Sequence, residues 1–383
     1  MFDDKIFILD GATGTELIRA GMPRGVTPEL WVLEHPEVLL KIQQSYIEAG
    51  SDVLYAPTFG ANAMQMKRHG YDGDIRRLNY DLAALTRSCN PRCMAGSIGS
   101  CGGIMRPAGD LSYDDLYEIF LPQIQGLMDA GVDYFAIETM MDLKEARAVG
   151  MIIKSVCDIP FTATFSVDAG GRTVYGTSLA IAMLTMSDAG AAAVGLNCST
   201  GPENMAEFVR EAAGYADIPM IIKPNAGLPK TDEHNNVYFD MSPEDFAAAM
   251  APLPQYGVTM VGGCCGTDNR HIKALAKAMS STEANPGKAD NSDVVTSESE
   301  TAVYCGGATP LPADGDMPDK IYESPYVDEN VLLIKIIDEA SLDYLEELLA
   351  ICRKPMCFIC AAELEDKVRK VYTGKTKIVI SDQ

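Results

Sequence analysis

The chain has 383 residues, enough for two or three domains of about 150 residues each, or for one large α/β barrel with an appendage. Hydrophobic residues make up 47% and charged residues 22%, which excludes disorder over most of the chain, and 33 glycines and 21 prolines without a period exclude collagen-like sequence. Acids outnumber bases by 54 to 31, and a formal charge of −23 argues against nucleic acid or an acidic membrane surface as partner.

The sequence opens MFDDKIFILDG, with acids where a secretory leader carries bases and only a short apolar run. No uninterrupted apolar stretch approaches the ~18 residues a membrane span needs. A cytoplasmic location is expected, and there the 11 cysteines are buried residues, ligands or nucleophiles rather than a disulfide framework.

From the N-terminus onward, short β-rich apolar runs alternate with helical periodicity. The runs are residues 7–9, 53–56, 94–98, 134–137, 162–167, 193–196, 220–222 and 258–261, and stretches such as 36–49 and 114–130 repeat every 3.6 residues. Eight βα units in residues 1–282 predict a (β/α)8 TIM barrel. A doubly wound sheet is the alternative, but no G-x-G-x-x-G follows the first run. Residues 283–318 are rich in Ser, Thr, Asp, Pro and Gly and read as a linker. Residues 319–383 form a small α/β unit of unassigned role. Its pattern is β-α-β-α-β, with strands at 331–337, 356–360 and 377–380 and helices at 342–352 and 363–371. At this size it is expected to dock on the barrel or on a partner.

Polar and reactive residues collect where the runs end: Asp10-Gly11, Thr58-Phe59-Gly60, Ser97, Glu138-Thr139, Asn197-Cys198, Lys223-Pro224-Asn225 and Gly263-Cys264-Cys265-Gly266. In a barrel these ends meet on one face, which carries the active site. Cys198 ends the sixth run and Cys264-Cys265 end the eighth. Neighbouring residues in a regular strand face opposite sides, so convergence of both thiols needs an irregular end, which Gly262, Gly263 and Gly266 permit. Alone, such a pair reads as two small buried hydrophobes or as a redox couple. With a third cysteine at another strand end it suits Zn²⁺, three thiolates leaving the fourth position open. Such an electron-rich site suits holding a substrate thiol as thiolate better than activating water.

These residues carry a resemblance to the homocysteine S-methyltransferase family, and within it to the homocysteine-binding barrel of cobalamin-dependent methionine synthases. The matching stretches are Asp10-Gly11-Ala12-Thr13-Gly14-Thr15-Glu16-Leu17, Thr58-Phe59-Gly60-Ala61-Asn62, Glu138-Thr139, Gly195-Leu196-Asn197-Cys198, Pro224-Asn225-Ala226-Gly227-Leu228-Pro229 and Gly262-Gly263-Cys264-Cys265-Gly266-Thr267. The resemblance implies zinc on Cys198, Cys264 and Cys265, and methylation of homocysteine to methionine. It also implies Asp10 and Glu138 near the substrate ammonium and the Gly11, Ala12, Thr13, Gly14, Thr15 turn near the carboxylate. A run of small residues in a turn can form an anion nest, and carboxylates suit a cation. Thr58 and Asn197 are expected as polar walls.

The cobalamin pattern D-x-H-x-x-G is missing. The nearest match, Asp232-Glu233-His234, has Val237 at the glycine position and falls in a loop with Asn235 and Asn236 that reads as a solvated lid. The methyl donor is therefore expected in trans, as a separate methyl-corrinoid (methylcobalamin) protein, with a small sulfonium such as S-methylmethionine as the alternative. A non-catalytic thiol- or zinc-binding partner of a corrinoid protein is the reading from a different class. In the tail, Tyr372-Thr373-Gly374-Lys375 and Ile378-Val379-Ile380-Ser381 resemble a piece of the folate barrel of the long enzymes. Cys352, Cys357 and Cys360 have C-x4-C-x2-C spacing, but pleating should set Cys357 and Cys360 on opposite faces, as buried thiols rather than cluster ligands.

Overall fold

The computed structural model describes residues 5–233 and 237–381. Its strands, in chain order, begin with β1 (Phe7–Ile8), β2 (Val53–Ala56), β3 (Cys93–Ile98), β4 (Tyr134–Met140), β5 (Phe161–Phe165), β6 (Ala193–Asn197) and β7 (Met220–Lys223). A small hairpin of β8 (Lys230–Thr231) and β9 (Val237–Tyr238) follows, then β10 (Val258–Val261). Strands β1 to β7 and β10 form one eight-stranded parallel sheet in the order β1-β10-β7-β6-β5-β4-β3-β2. With helices between the strands, this is the expected (β/α)8 barrel.

Among the described residues no ladder joins β1 to β2. The seam is held by other bonds: Asp52 N–H donates to the Ile8 carbonyl at 2.7 Å, Ile8 N–H to Asp52 Oδ2 at 3.1 Å, and Tyr55 N–H to Asp10 Oδ2 at 2.7 Å. The Asp10 side chain thus stands in for a main-chain acceptor.

The two-residue period of each strand sorts the core into two shells. Leu54 and Ala56, Phe135 and Ile137, and Met220 and Ile222 point outward into the helix layer. Val53 and Tyr55, Tyr134 and Ala136, and Ile221 point inward. Continuing the same alternation toward the strand ends brings Ser97, Glu138 and Lys223 into the interior. Polar groups therefore form the top layer of a barrel filled below by side chains.

Residues 283–318 are more built into the fold than an irregular linker would be. They contain an antiparallel hairpin, β11 (Val294–Thr296) with β12 (Thr301–Val303), and an unforeseen strand, β13 (Pro310–Pro312). That strand heads a parallel four-stranded sheet with β14 (Leu332–Lys335), β15 (Met356–Cys360) and β16 (Ile378–Ile380). Leu332, Ile334, Met356, Phe358 and Cys360 pack with Leu345, Leu348 and Val368 of the helices Ala340–Ile351 and Glu365–Val371. On the other face, Leu333 and Cys357 meet Val295 of the hairpin. Cys357 and Cys360 thus face opposite sides, as the pleat requires.

This unit docks on the barrel. Thr296 of the hairpin bonds Thr185 through their hydroxyls at 2.9 Å, Thr177 donates to the Glu298 carbonyl at 2.8 Å, and the buried Arg147 donates to the Arg369 carbonyl. Among the described residues no helix is long and apolar enough to cross a membrane. Of the lid expected at 232–236, residues 234–236, His234 included, lie outside the described residues.

Candidate metal and substrate site

A cavity of about 370 Å³ opens at the C-terminal ends of the barrel strands. The three thiols form one wall. Cys198, Cys264 and Cys265 offer sulfurs that all lie within 4.8 Å of one another, with Cys198 and Cys265 at 3.9 Å.

Irregular backbone makes this convergence possible. Cys198 follows β6 with φ 61° and Ser199 with φ 54°, a left-handed pair that turns the chain off the strand. Cys198 N–H donates to the Lys223 carbonyl at 3.0 Å. Cys264 and Cys265 lie beyond β10, in a turn closed by Gly266 at φ 83°. Gly263 has no room for a side chain, since a Cβ there would sit 2.3 Å from Thr267 Oγ1. That hydroxyl donates to the Cys264 carbonyl at 2.7 Å and accepts from Ala12 N–H at 3.2 Å, tying the cysteine turn to the first loop.

The thiols titrate as a group. Hydrogen bonds from Cys264 and Cys265 pull Cys198 down to about 3. The Cys198 anion in turn pushes Cys264 well up and Cys265 up to about 12, with burial adding to both. Three half-buried sulfurs that hold one negative charge among them are a donor set fit for a thiophilic cation, which would replace the remaining protons.

The floor carries charge. Lys223 Nζ lies 3.2 Å from Asp10 Oδ1, 4.0 Å from Glu138 Oε2 and 3.4 Å from the centre of the Tyr55 ring. Glu138 Oε1 accepts from Ser97 Oγ at 2.5 Å. Burial raises both carboxyls, while Lys223 draws them back, with help from Tyr55 N–H at Asp10 and from Ser97 at Glu138. Burial works against the Lys223 ammonium too, but Asp10, Tyr55 and Glu138 outweigh it and raise its pKa.

Gly11, Ala12, Thr13 and Gly14 line the same cavity beside Asp10 and Glu138. Three expected lining residues do not. Thr15 lies outside it and accepts Gly266 N–H at 3.2 Å, a brace between two loops. Thr58 is fully buried and donates to the Ser97 carbonyl at 2.7 Å, holding β2 to β3. Asn197 is also fully buried, and its amide clamps Thr139, accepting Thr139 N–H at 2.8 Å and donating to its hydroxyl at 2.6 Å. Thr139 has φ 59°, so Asn197 secures the strained, irregular stretch of β4 that directly follows Glu138.

Sequence reasoning assigned no site role to two charged residues that line the cavity. Lys223 was legible, two positions after the inward Ile221. Glu29 was not, since it comes from the helix Pro28–Glu34 and reaches the cavity while accepting Gly60 N–H at 2.6 Å.

Residues 7–279 match the profile of the family described as homocysteine S-methyltransferase. The chain belongs to the homocysteine S-methyltransferase family. Methionine synthase from Mycobacterium tuberculosis is 29% identical over 299 residues, 73% of this chain and 25% of that protein. Methionine synthase from Mycobacterium leprae is 29% identical over 295 residues, 72% of this chain and 24% of that protein. The chain thus spans about a quarter of the length of these relatives. The metallated form of the homocysteine methyltransferase MmuM from Escherichia coli shares the fold with a TM-score of 0.60 and 23% identity, over 71% of this chain and 96% of that one. The family match covers the barrel, thiol cluster and charged floor included, and stops short of the C-terminal sheet.

Proposed function

We propose that this homocysteine S-methyltransferase family member transfers a methyl group to the thiol of homocysteine, giving methionine, with the methyl group supplied by a separate methyl-corrinoid protein. The observation that carries the reading is the meeting of three thiols and a charged floor in one cavity. Cys198, Cys264 and Cys265 would hold a zinc ion, which when bound supplies the Lewis acidity that makes a substrate thiol a thiolate at neutral pH.

The chain's own groups do the rest. Glu138 binds the substrate ammonium by a charge-assisted contact, and the turn of Gly11, Ala12, Thr13 and Gly14 takes the carboxylate. Held at both ends, homocysteine directs its sulfur toward the thiol wall and its back toward the barrel interior, which excludes water. An incoming methyl group can reach the sulfur only from the open mouth. Phe59 lines the cavity and is exposed, and exposed Met141 and Leu228 stand on the loops after β4 and β7 at the same end of the barrel; such apolar groups favour a large, partly apolar donor over a small soluble one. The eleven free cysteines fit a reducing compartment such as the cytoplasm.

The test is methionine formation by reduced, zinc-loaded protein with homocysteine and either methylcobalamin or S-methylmethionine. Multiple turnovers with methylcobalamin are expected. Turnover with the sulfonium alone would replace the corrinoid donor, and no methionine from either, or from a methyl-corrinoid protein, would leave a binding role.

A further inference from the structure

The substrate reading leaves one buried group without a task. Lys223 closes β7, and its side chain is only 5% exposed. A lysine is seldom buried without an electrostatic reason, because desolvating its ammonium is costly unless partners offset it. Its partners are unequal. Asp10 is in contact at 3.2 Å, and its other oxygen is taken by Tyr55 N–H at 2.7 Å. That carboxylate is 2% exposed and fully engaged. Glu138 is farther off at 4.0 Å and 14% exposed. Its Oε1 takes the Ser97 hydroxyl, and among the described residues Oε2 has no hydrogen-bond donor. Together the three side chains carry a single net negative charge, and the accessible share of it lies on Glu138.

We infer that Lys223 sets the charge of this pocket: it neutralises Asp10, keeps that carboxylate out of substrate recognition, and leaves Glu138 alone to receive the ammonium of an amino-acid thiol. The inference rests on the homocysteine reading and deepens it, since it names what selects an amino-acid thiol over a plain one. Lys223 is a positioning residue that acts through the two carboxylates. Asp10 is a scaffold group that closes the β1–β2 seam and anchors the lysine. Removing either member of the pair changes the pocket charge, and removing both restores it. Without Lys223 two adjacent carboxylates must share a proton, which weakens Glu138 as an acceptor. Without Asp10 the lysine turns its charge on Glu138 and competes with the substrate ammonium.

The experiment measures equilibrium binding of L-homocysteine and of 4-sulfanylbutanoate, which lacks the amino group, to the full-length zinc-loaded protein without a methyl donor. The unaltered protein should prefer homocysteine by roughly tenfold or more, the size of a charge-assisted contact. Glu138→Gln should abolish the preference. Asp10→Asn and Lys223→Met should each reduce it about tenfold with little change for 4-sulfanylbutanoate, Lys223→Arg should keep it, and the Asp10→Asn/Lys223→Met pair should recover it to within about threefold. A structural defect would weaken both ligands alike and would not be repaired by the second substitution. Zinc content checks that the thiol wall is intact, and if Lys223→Met loses zinc, Asp10→Asn alone decides. Single variants that keep the full preference, or a double variant no better than the singles, would overturn the inference. Preferential binding without methylation would count against the proposed transfer and leave the role of Lys223 standing.

Discussion

The barrel and the C-terminal unit each hold three cysteines close in sequence or space, and only one trio is a site. Cys198, Cys264 and Cys265 sit beyond strand ends, on left-handed or glycine-released backbone, and their sulfurs meet. Cys352 follows a helix, while Cys357 and Cys360 lie within regular β15, where the pleat sends one toward the hairpin and the other toward the helices. Burial raises these three thiols, and no neighbouring sulfur lowers any of them. Spacing of cysteines is thus a poor guide to ligation, and departure from regular backbone a better one. A strand holds its side chains apart, whereas a loop can bring adjacent ones together.

Substitution tests this contrast most sharply. Cys198→Ala, Cys264→Ala and Cys265→Ala should each abolish zinc retention, measured as metal per protein after dialysis, and with it methionine formation. Full activity in the metal-free triple variant would refute the mechanism. Cys357→Ala and Cys360→Ala should hold the same zinc and lose only about 1 kcal/mol in urea unfolding, the cost of a small cavity. The titration of the two trios differs as well. Since Cys264 and Cys265 are pushed up while Cys198 is pulled down, two thiols of the metal-free barrel are protonated at neutral pH. Adding zinc should release about two protons, readable with an indicator dye in weak buffer. The triple variant should release none.

The next effect concerns the backbone that aims the site. Asn197→Ala leaves Thr139 without its clamp and should lower kcat/KM for homocysteine about tenfold or more, the cost of two lost hydrogen bonds near the substrate. Zinc content should stay near one per chain. Unchanged kinetics would mean that the strained backbone at Thr139 holds itself.

The eight strands were legible because each run is short, apolar and β-branched, and alternation carries no ambiguity once the barrel is assumed. The thiols were legible because glycines flank them. What failed was orientation at and beyond the strand ends. Asn197, the last ladder residue of β6, and Thr58, two residues past β2, were expected beside Glu138 on the cavity wall, yet they bond groups of strands β4 and β3 and stay out of the cavity. Alternation gives the face a side chain leaves from but not the partner that holds it, and the hydrogen bonds that decide this link residues far apart in sequence. The hairpin in the expected linker was hidden for the same reason. Val294–Thr296 is three residues among serines and acids, and it gains its burial only by covering a sheet formed some forty to sixty residues later.

That hairpin gives the smallest expected effect on activity and a clear one on stability. Tyr372 is fully buried within the C-terminal unit. Its hydroxyl donates to the Thr296 carbonyl at 2.6 Å and accepts Met356 N–H at 2.8 Å, joining hairpin and sheet through one oxygen. Tyr372→Phe keeps the ring, which packs edge-on against Phe358 with centroids 5.1 Å apart, and strands both main-chain groups without partners. The cost should be about 1–3 kcal/mol in chemical unfolding. If the C-terminal unit serves only to pack, methionine formation and zinc content should not change. A fall in turnover with a corrinoid protein donor, but not with free methylcobalamin, would instead make the docked unit part of the donor's landing surface, and the contrast between a reactive barrel and an inert appendage would have to be redrawn.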